Sequence, residues 1–322
     1  MTDFETVAAT EIHTATPGPQ GNLDAPGQPG TMEANKPRSA TADALHDLRR
    51  KPLFWIALVI VAIVVVMACW PSLFTSADPT DCSLSRQFAG PSGGAYFGYD
   101  FQGCDVFAKS VYGTRNSLLI GTMAALLAGL VGMVLGVTGG YFGRWWDVLV
   151  SRTIDIILGL PLLLAGIVLM KRVTNAGGGQ TEVLIALIAV LGLLGWTTAA
   201  RVIRSSVISA KNQDYVAAAR MLGAGHGRIM WRHILPNSLA PFIVIITMAL
   251  GAFIAAEATL SFLGIGLKPP AQSWGIDISA ARVQMRTNPI PLIVPSTFLA
   301  LTVLAFIMMG DAIREAFDPK LR

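Results

Sequence analysis

Residues 214–237 read DYVAAARMLGAGHGRIMWRHILPN, a polar, helix-prone stretch set between two long apolar runs. Four of its residues are spaced at i, i+3, i+4 and i+7, which predicts one apolar stripe on a short helix: Tyr215, Ala218, Ala219 and Leu222. Gly223 and Gly225 follow, where a helix C-terminus favours residues that tolerate positive φ. A second short segment runs on to Pro236, where the proline predicts that a new element begins.

The composition around this stretch is that of a membrane protein. Hydrophobic residues make up 53% of the 322 residues and charged residues only 14%. Six segments reach or approach the ~20 residues needed to cross a ~30 Å hydrocarbon layer. They are Leu53–Trp70, Ser117–Tyr141, Ile154–Met170, Val183–Ala200, Leu239–Leu263 and Pro289–Gly310. Buried helices of a soluble core are the alternative, but soluble helices rarely lack charge for so long. We therefore predict an all-α membrane protein with six transmembrane helices.

The distribution of Lys and Arg predicts the orientation of these spans. A topology with the N-terminus inside places 16 of the 24 basic residues in the cytoplasm. Three of them, Arg49-Arg50-Lys51, directly precede the first span, where their weight is greatest. Both termini and the 201–238 region between the fourth and fifth spans are then cytoplasmic, and residues 71–115 form a long outer loop. No small-residue cleavage pattern follows the first span, so we expect it to be retained.

The N-terminal tail, residues 1–48, differs in composition from the rest of the chain. Its prolines and small polar residues show no apolar periodicity, so it cannot bury enough surface to offset its ordering entropy. We predict a cytoplasmic tail that is disordered to about Ser39 and helical from Thr41 into the membrane. Residues 49–322 are then the transmembrane domain.

The 214–237 stretch resembles the permease motif of ABC transporters, E-A-A-x-x-x-G followed by I-x-L-P. The residues at those places are Ala217, Ala218, Ala219, Gly223, Ile234, Leu235 and Pro236. Ala217 departs from the motif, which has an acidic residue there. In that family the helix docks in a cleft of the ATPase subunit and transmits its motion. The resemblance implies an ATPase-coupling role for these residues and for Tyr215, Arg220 and Leu222.

Three further segments resemble the peptide and nickel branch of the same family. Residues 96–118, 260–279 and 310–322 are similar to its G-T-D-x-x-G-R-D-V, L-S-F-L-G-L-G-x-x-P-P-x-x-S-W-G and closing L-G-D-x-L-R-D-x-L-D-P-R segments. The resemblance covers most of residues 49–322. It implies one subunit of an ATP-driven importer in the bacterial cytoplasmic membrane, which forms a pathway for di- or oligopeptides.

The partners follow from the resemblance as well. They are a second homologous permease subunit, two cytoplasmic ATP-binding subunits, an extracytoplasmic substrate-binding protein and membrane lipid. The chain has no G-x-x-x-x-G-K-[ST] loop and no H-E-x-x-H spacing, so we expect ATP and Mg in the partner subunits and no catalytic, cofactor or metal site here. The net charge of +4 is explained by the topology and does not indicate nucleic acid.

Two other functions remain open from the sequence. The cargo can be another small solute of the same family, such as a nickel chelate, haem or a glycoside. A secondary transporter driven by an ion gradient is the alternative from another class. It would need intramembrane ionisable relays or an inverted repeat, and Glu257 and Asp155 are sparse for a relay.

Several single residues carry narrower expectations. Cys82 and Cys104 both lie in the outer loop, on the oxidising side, which makes them candidates for a disulfide, with two free thiols as the alternative. Cys69 is expected to be a small apolar filler in the first span. A carboxylate late in the fifth span, Glu257, is costly unless it is paired or hydrated. Arg115, at similar depth, is its expected partner in the outer vestibule, with binding of a substrate amino group by Glu257 as the alternative.

Small residues and a proline predict how the helices pack. Gly132, Gly136 and Gly140 lie on one face of the second span and allow another backbone to approach closely. This face packs either within the chain or against a second permease subunit. Pro161 is expected to bend the third span. Trp274, which follows the fifth span, is expected to be an interfacial aromatic anchor.

Overall fold

The computed structural model describes residues 46–317, and every regular element in that range is a helix, apart from two isolated β-bridges in the loop before the second span. The helices are α1 (Pro52–Cys69), α2 (Val106–Phe142), α3 (Arg144–Leu158), α4 (Leu162–Asn175), α5 (Gln180–Lys211), α6 (Asp214–Met221), α7 (His226–Ile229), α8 (Leu235–Phe262), α9 (Trp274–Ala281) and α10 (Ile290–Phe317). Five stretches are long and apolar enough to cross a membrane, or six if α3 and α4 form one bent span.

The second spanning helix begins at Val106, so the prediction of an outer loop to residue 115 is wrong for residues 106–115. The carboxylate of Asp105 caps the helix by accepting hydrogen bonds from the backbone N–H groups of Phe107, at 2.8 Å, and Ala108, at 3.1 Å. A cap of this kind is a strong start signal. The polar residues of the first helical turns concealed it, because they break the apolar run.

The third span is broken instead of bent. α3 and α4 meet at 83° across residues 159–161, where a single helix from Ile154 to Met170 was predicted. Pro161 takes the extended conformation of an N-cap, and a residue before a proline is disfavoured in the helical region. The kink expected from Pro161 is therefore a complete interruption of the helix.

A proline also interrupts a predicted helix at the start of the described residues. Residues 46–50 are helical, but Lys51 is extended, with φ −87° and ψ 116°, and α1 begins anew at Pro52. The continuous helix predicted from Thr41 into the membrane is therefore interrupted at Lys51. Residues 41–45 and the predicted disordered tail lie outside the described residues.

The glycine face of α2 packs against α5 within the chain. Cβ atoms added to Gly132, Gly136 and Gly140 would lie 2.9, 2.6 and 2.9 Å from the carbonyl oxygens of three α5 residues four apart: Trp196, Ala200 and Arg204. The two helices thus keep the same register over two turns, with backbone against backbone. Of the two alternatives for this face, the structure shows packing within the chain.

A disulfide and an ion pair hold the outer loop before α2 in place. Cys82 and Cys104 form a disulfide, with an S–S distance of 2.04 Å and a Cα–Cα distance of 4.2 Å. Asp100, in the same loop, accepts a 2.8 Å hydrogen bond from the ammonium group of Lys109 on α2. Because both residues of this ion pair are buried, the loop is held to the helix bundle at a fixed place.

Candidate functional site

The 214–236 segment connects α5 to α8 and consists of two short helices and a turn. α6 ends at Met221 and is closed by Gly223, whose φ of +79° suits a glycine; the N–H of Ala224 donates to the carbonyl of Ala219 at 3.0 Å. Gly225 has φ −69° and is the N-cap of α7, so the positive φ expected for both glycines is found only at Gly223.

The end of this segment differs from the sequence prediction. A π-helical turn, Met230–Ile234, joins α7 to α8 without a break, so the helix runs from His226 to Phe262. The prediction that a separate element begins at Pro236 is wrong. Pro236 follows the π turn directly, and the irregular hydrogen bonding of that turn accommodates its missing N–H.

The inner face of the 214–236 segment is fully packed. Val216 and Ile234 are 0% exposed and Ile229 is 1% exposed. They form one apolar cluster with Ile203 and Val207, which lie on the last turns of α5. Burial of these side chains fixes the two short helices against the ends of the spanning helices.

The outer face of the 214–236 segment, opposite to this packed inner face, carries large apolar side chains that the rest of the chain leaves exposed. Leu222 is 88% exposed, Met221 83%, Trp231 69% and Tyr215 40%. The predicted apolar stripe is therefore divided, because only Ala219 of its four residues is buried. The reason is that Val216 and Ala219, three apart, form the inner face. Sequence reasoning missed Val216, Met221 and Trp231.

This outer face has the properties of a protein-binding surface. Aromatic residues, Met and Arg are the types enriched in interfaces, and here Tyr215, Met221 and Trp231 are accompanied by exposed arginines. The small residues of the motif, Ala217 and Ala218, are also exposed and would let a partner approach the helix backbone closely. An exposed apolar surface rimmed by basic residues is typical of a docking site.

A partly open apolar cavity of about 350 Å³ lies between the spanning helices. Its walls come from α2, from both sides of the α3–α4 break, from α5 and from α8, and they include Ala128, Leu158, Leu162, Thr198, Ala249 and Phe253. Irregular backbone at membrane depth is tolerated where it lines a cavity. The broken third span is therefore placed where a pathway would need it.

The expected ion pair between Glu257 and Arg115 is not formed. Glu257 is fully buried and accepts a 2.8 Å hydrogen bond from the hydroxyl of Ser261. Arg115 is exposed and lines a groove beside α1. Residues two apart on a helix point about 200° apart. Since Ser117 faces α9, through a hydrogen bond with the backbone N–H of Trp274, Arg115 must point away from Glu257.

A different charge cluster lies at the outer side. Besides Asp100, Lys109 has Asp277 of α9 as a neighbour, with its Nζ 3.5 Å from the Asp277 Oδ1 atom. Burial raises the pKa of Asp277 to about 6, although Lys109 opposes the shift. Sequence reasoning missed this cluster because Lys109 was assigned to a loop and Asp277 lies 168 residues further along the chain.

One tryptophan and one cysteine also differ from expectation. Trp274 is 0% exposed and donates from Nε1 to the carbonyl of Ser110 at 2.9 Å, so it is a core residue and not an interfacial anchor. Cys69, expected to be a filler inside the first span, is a free and exposed thiol at the end of α1. Within residues 46–317, no group of three or more His, Cys, Asp or Glu side chains is arranged to hold a metal ion.

Comparison with known proteins identifies relatives of nearly full length. The family described as "Binding-protein-dependent transport system inner membrane component" matches residues 128–322, and "N-terminal TM domain of oligopeptide transport permease C" matches residues 39–91. The dipeptide transport system permease protein DppC of Alkalihalophilus pseudofirmus is 36% identical over 87% of this chain and 90% of its own. The oligopeptide transport system permease protein OppC of Bacillus subtilis is 33% identical over 90% and 92%.

Solved structures agree with this fold at lower sequence identity. An inward-facing structure of the MetNI methionine ABC transporter matches with a TM-score of 0.52 and 19% identity, over 65% of this chain and 96% of that one. An amino acid ABC transporter matches with a TM-score of 0.50 and 18% identity, over 63% and 91%.

Proposed function

Because the chain belongs to the family of binding-protein-dependent transport system inner membrane components, we propose that it forms part of the membrane pathway of an ATP-driven importer for di- or oligopeptides. It is a multi-pass protein of the inner membrane and a transport subunit, not an enzyme in itself. The peptide cargo is supported by the relatives, which include dipeptide and oligopeptide permeases over nearly the whole chain.

The exposed apolar face of the 214–236 segment is the observation that carries this proposal. Tyr215, Met221, Leu222 and Trp231 are exposed at the end of a bundle whose interior is well packed. We infer that this face docks on a cytoplasmic ATPase subunit. Arg220 and Gly223 support docking by adding charge and a tight turn, and Ile234, Leu235 and Pro236 continue the segment into α8.

The cavity between the helices supports a second, homologous permease subunit as partner. Two apolar residues that line the cavity at the α3–α4 break are exposed in the single chain: Leu158 is 43% exposed and Leu160 53%. A single chain therefore encloses the cavity only in part. A second permease would complete it, and an extracytoplasmic binding protein would deliver the peptide to the outer side.

The orientation and the domain boundaries are part of the same proposal. With both termini in the cytoplasm, the basic residues Arg220, Arg228 and Arg232 of the 214–236 segment lie on the inner side, where ATP is available. The transmembrane domain is residues 49–322, and residues 1–48 are an additional cytoplasmic tail. ATP and Mg would be bound by two partner subunits.

In this mechanism the chain contributes the pathway and the moving contact. ATP binding would bring the two ATPase subunits together and carry the docked 214–236 segments with them. Because this segment is continuous with α8 and packed on α5, its displacement would move helices that line the cavity. The pathway would then open outward, and hydrolysis of ATP would return it to the inward-facing form.

The test is ATP-dependent peptide uptake by the purified complex of this chain with its partner subunits in liposomes. Ala218→Glu places a carboxylate on the exposed face of α6, and Gly223→Asp forces a side chain onto a positive φ. We expect both variants to lose uptake and peptide-stimulated ATP hydrolysis. Thr287→Glu, which adds the same charge to an exposed turn between α9 and α10, is the matched control and should retain both activities.

The opposite result is equally clear. Uptake that persists without ATP, and that neither Ala218→Glu nor Gly223→Asp reduces, would contradict the proposal and favour a carrier driven by an ion gradient. ATP-dependent uptake of a metal chelate or a glycoside in place of peptides would keep the importer and change only its cargo.

A further inference from the structure

Tyr141, near the C-terminus of α2, lies where three elements meet. Its side chain is buried, with 3% exposure. Its hydroxyl lies 2.8 Å from Nδ1 of His226, the first residue of α7, and the two rings meet edge to face with centroids 5.8 Å apart. A single side chain therefore joins the second spanning helix to the 214–236 segment.

The third element at this point is the end of α5. Lys211, its last residue, donates a hydrogen bond to the backbone carbonyl of Tyr141 and lies 5.6 Å from the centre of the Tyr141 ring. A cation at that distance is attracted by the ring face. Lys211 thus contacts both the backbone and the ring of Tyr141.

The chain continues from Tyr141 directly into the broken third span. Only Gly143, with φ +65°, separates α2 from α3, and Arg144, the first residue of α3, has φ +53°. Positive φ is unfavourable for an arginine and indicates that this connection is held in place by its surroundings. α3 then starts, and its far end at Leu158 lines the cavity.

A second contact fixes the start of α3. Asp147, in its first turn, binds the guanidinium group of Arg204 on α5 through two hydrogen bonds, one of them 2.8 Å from Nη2 to Oδ2. A bidentate pair of this kind defines orientation as well as distance. The connection between α2 and α3 is therefore anchored on both sides, at Tyr141 toward the 214–236 segment and at Asp147 toward α5.

We propose that Tyr141 is a positioning residue that transmits the movement of the 214–236 segment to the start of the cavity-lining helix α3. This inference rests on the proposed function, since it assumes that an ATPase moves the segment. The apolar contacts of Val216, Ile229 and Ile234 also join the segment to the bundle, but they are not directional. The hydrogen bond from Tyr141 to His226 is directional, so it determines where the segment must stay relative to α2.

Either side chain of the Tyr141–His226 pair can act as the donor of the hydrogen bond. Neutral His226 accepts from the phenol O–H at Nδ1, and a protonated ring donates to the phenol oxygen instead. The contact therefore persists in either protonation state. Without a partner at residue 226, the buried hydroxyl of Tyr141 would lose its hydrogen bond within the described part of the chain.

The experiment measures peptide uptake and ATP hydrolysis on the same liposomes containing the complex. Tyr141→Phe removes the hydroxyl and His226→Ala removes the acceptor. We expect either variant to assemble and hydrolyse ATP, while the peptide taken up per ATP falls about fivefold, the effect of one hydrogen bond. The double variant should fall no further, because both changes remove the same contact.

Two more variants separate positioning from stability. His226→Asn keeps an acceptor near the place of Nδ1 and should restore most of the uptake per ATP. Tyr112→Phe removes a phenol hydroxyl from the other end of α2, where it has no hydrogen-bond partner among residues 46–317, and should behave like the wild type. A purely structural role would lower assembly and ATP hydrolysis together and would leave their ratio to uptake unchanged.

A wild-type ratio in Tyr141→Phe and His226→Ala, in a complex that imports peptides, would overturn the inference. So would losses that multiply in the double variant. If the wild-type complex shows no ATP-dependent uptake, the proposed function fails instead. Hydrogen exchange of residues 226–234 then tests the Tyr141–His226 contact alone: Tyr141→Phe should raise exchange there relative to Tyr112→Phe, and unchanged exchange would refute it.

Discussion

Gly136 of α2 lies against the backbone carbonyl of Ala200 of α5, so closely that a Cβ atom on the glycine would be 2.6 Å from that oxygen. The same contact repeats one turn before and one turn after. Without a hydrophobic driving force between helices in lipid, such close backbone packing is a main source of association. The α2–α5 pair is therefore a closely packed unit in which the two helices keep one register.

Substitution of Gly136 tests this close packing. We expect Gly136→Val to destabilise the protein by about 1–3 kcal/mol, since the added side chain meets backbone that cannot move away. The measurement is the midpoint of thermal unfolding of the purified complex. Gly90→Val in the outer loop is the matched control, because a Cβ atom at Gly90 meets nothing within 4 Å and its φ is not positive. Equal midpoints for the two variants would contradict the packing argument.

Asp277 should make stability depend on pH. Its pKa is raised from 3.8 to about 6 by burial, so the folded protein binds this proton more tightly than the unfolded chain does. The bound proton stabilises the folded protein fully below about pH 4. This contribution to the free energy of unfolding, about 3 kcal/mol at most, is lost as the pH rises through about 6. On acidification from about pH 7.5 to about pH 5, the wild type should therefore gain stability relative to Asp277→Asn.

The matched control for this pH effect is Asp78→Asn in the outer loop. The side-chain hydroxyl and backbone N–H of Thr80 donate to Asp78 and lower its pKa, so this residue titrates with the opposite sign. Asp78→Asn should therefore not reproduce the change in pH-dependent stability that Asp277→Asn causes. A difference between the wild type and Asp277→Asn that stays constant over this pH range would show that Asp277 does not titrate there.

The disulfide between Cys82 and Cys104 should stabilise the outer loop locally. It closes a loop with a sequence separation of 22 residues. A bridge of that span is worth about 3 kcal/mol in the chain-entropy account. We expect Cys104→Ser to raise the rate of hydrogen exchange and of proteolytic cleavage within residues 83–103. Cys69→Ser, which removes a free and exposed thiol, should leave both rates unchanged. If Cys104→Ser keeps the wild-type protection against exchange and cleavage, the ion pair between Lys109 and Asp100 is sufficient to hold the loop.

Glu257 and Arg115 should act independently. The two residues form no contact, and Glu257 is bound by Ser261 on its own helix. In a double-mutant cycle of Glu257→Gln and Arg115→Gln, we expect the changes in unfolding free energy to add within about 0.5 kcal/mol. A coupling energy clearly above that value would show that the two side chains meet in the assembled complex.

Much of the fold follows from composition and from strong local signals. The apolar runs predict the spanning helices because lipid offers no partner for exposed backbone groups. Gly223 closes α6 with a positive φ, and the spacing of Gly132, Gly136 and Gly140 predicts a close helix contact. These features depend on neighbours within one or two helical turns, which a sequence displays directly.

Other features depend on residues far apart in the chain. Arg115 and Glu257 are at a similar depth, but the direction of Arg115 follows from the hydrogen bond of Ser117 to the backbone of Trp274, which the sequence does not show. The burial of Trp274 depends on the carbonyl of Ser110, 164 residues away. The division of the stripe on α6 likewise depends on which side of that helix packs against α5.

The bond between Cys82 and Cys104 also has a consequence for biosynthesis. With the loop on the outer side, as proposed, the two thiols reach an oxidising compartment only after residues 71–105 have crossed the membrane. The subunit therefore requires thiol oxidation as a late maturation step. A production host that lacks an extracytoplasmic oxidation pathway would insert all the spanning helices and still deliver an immature subunit.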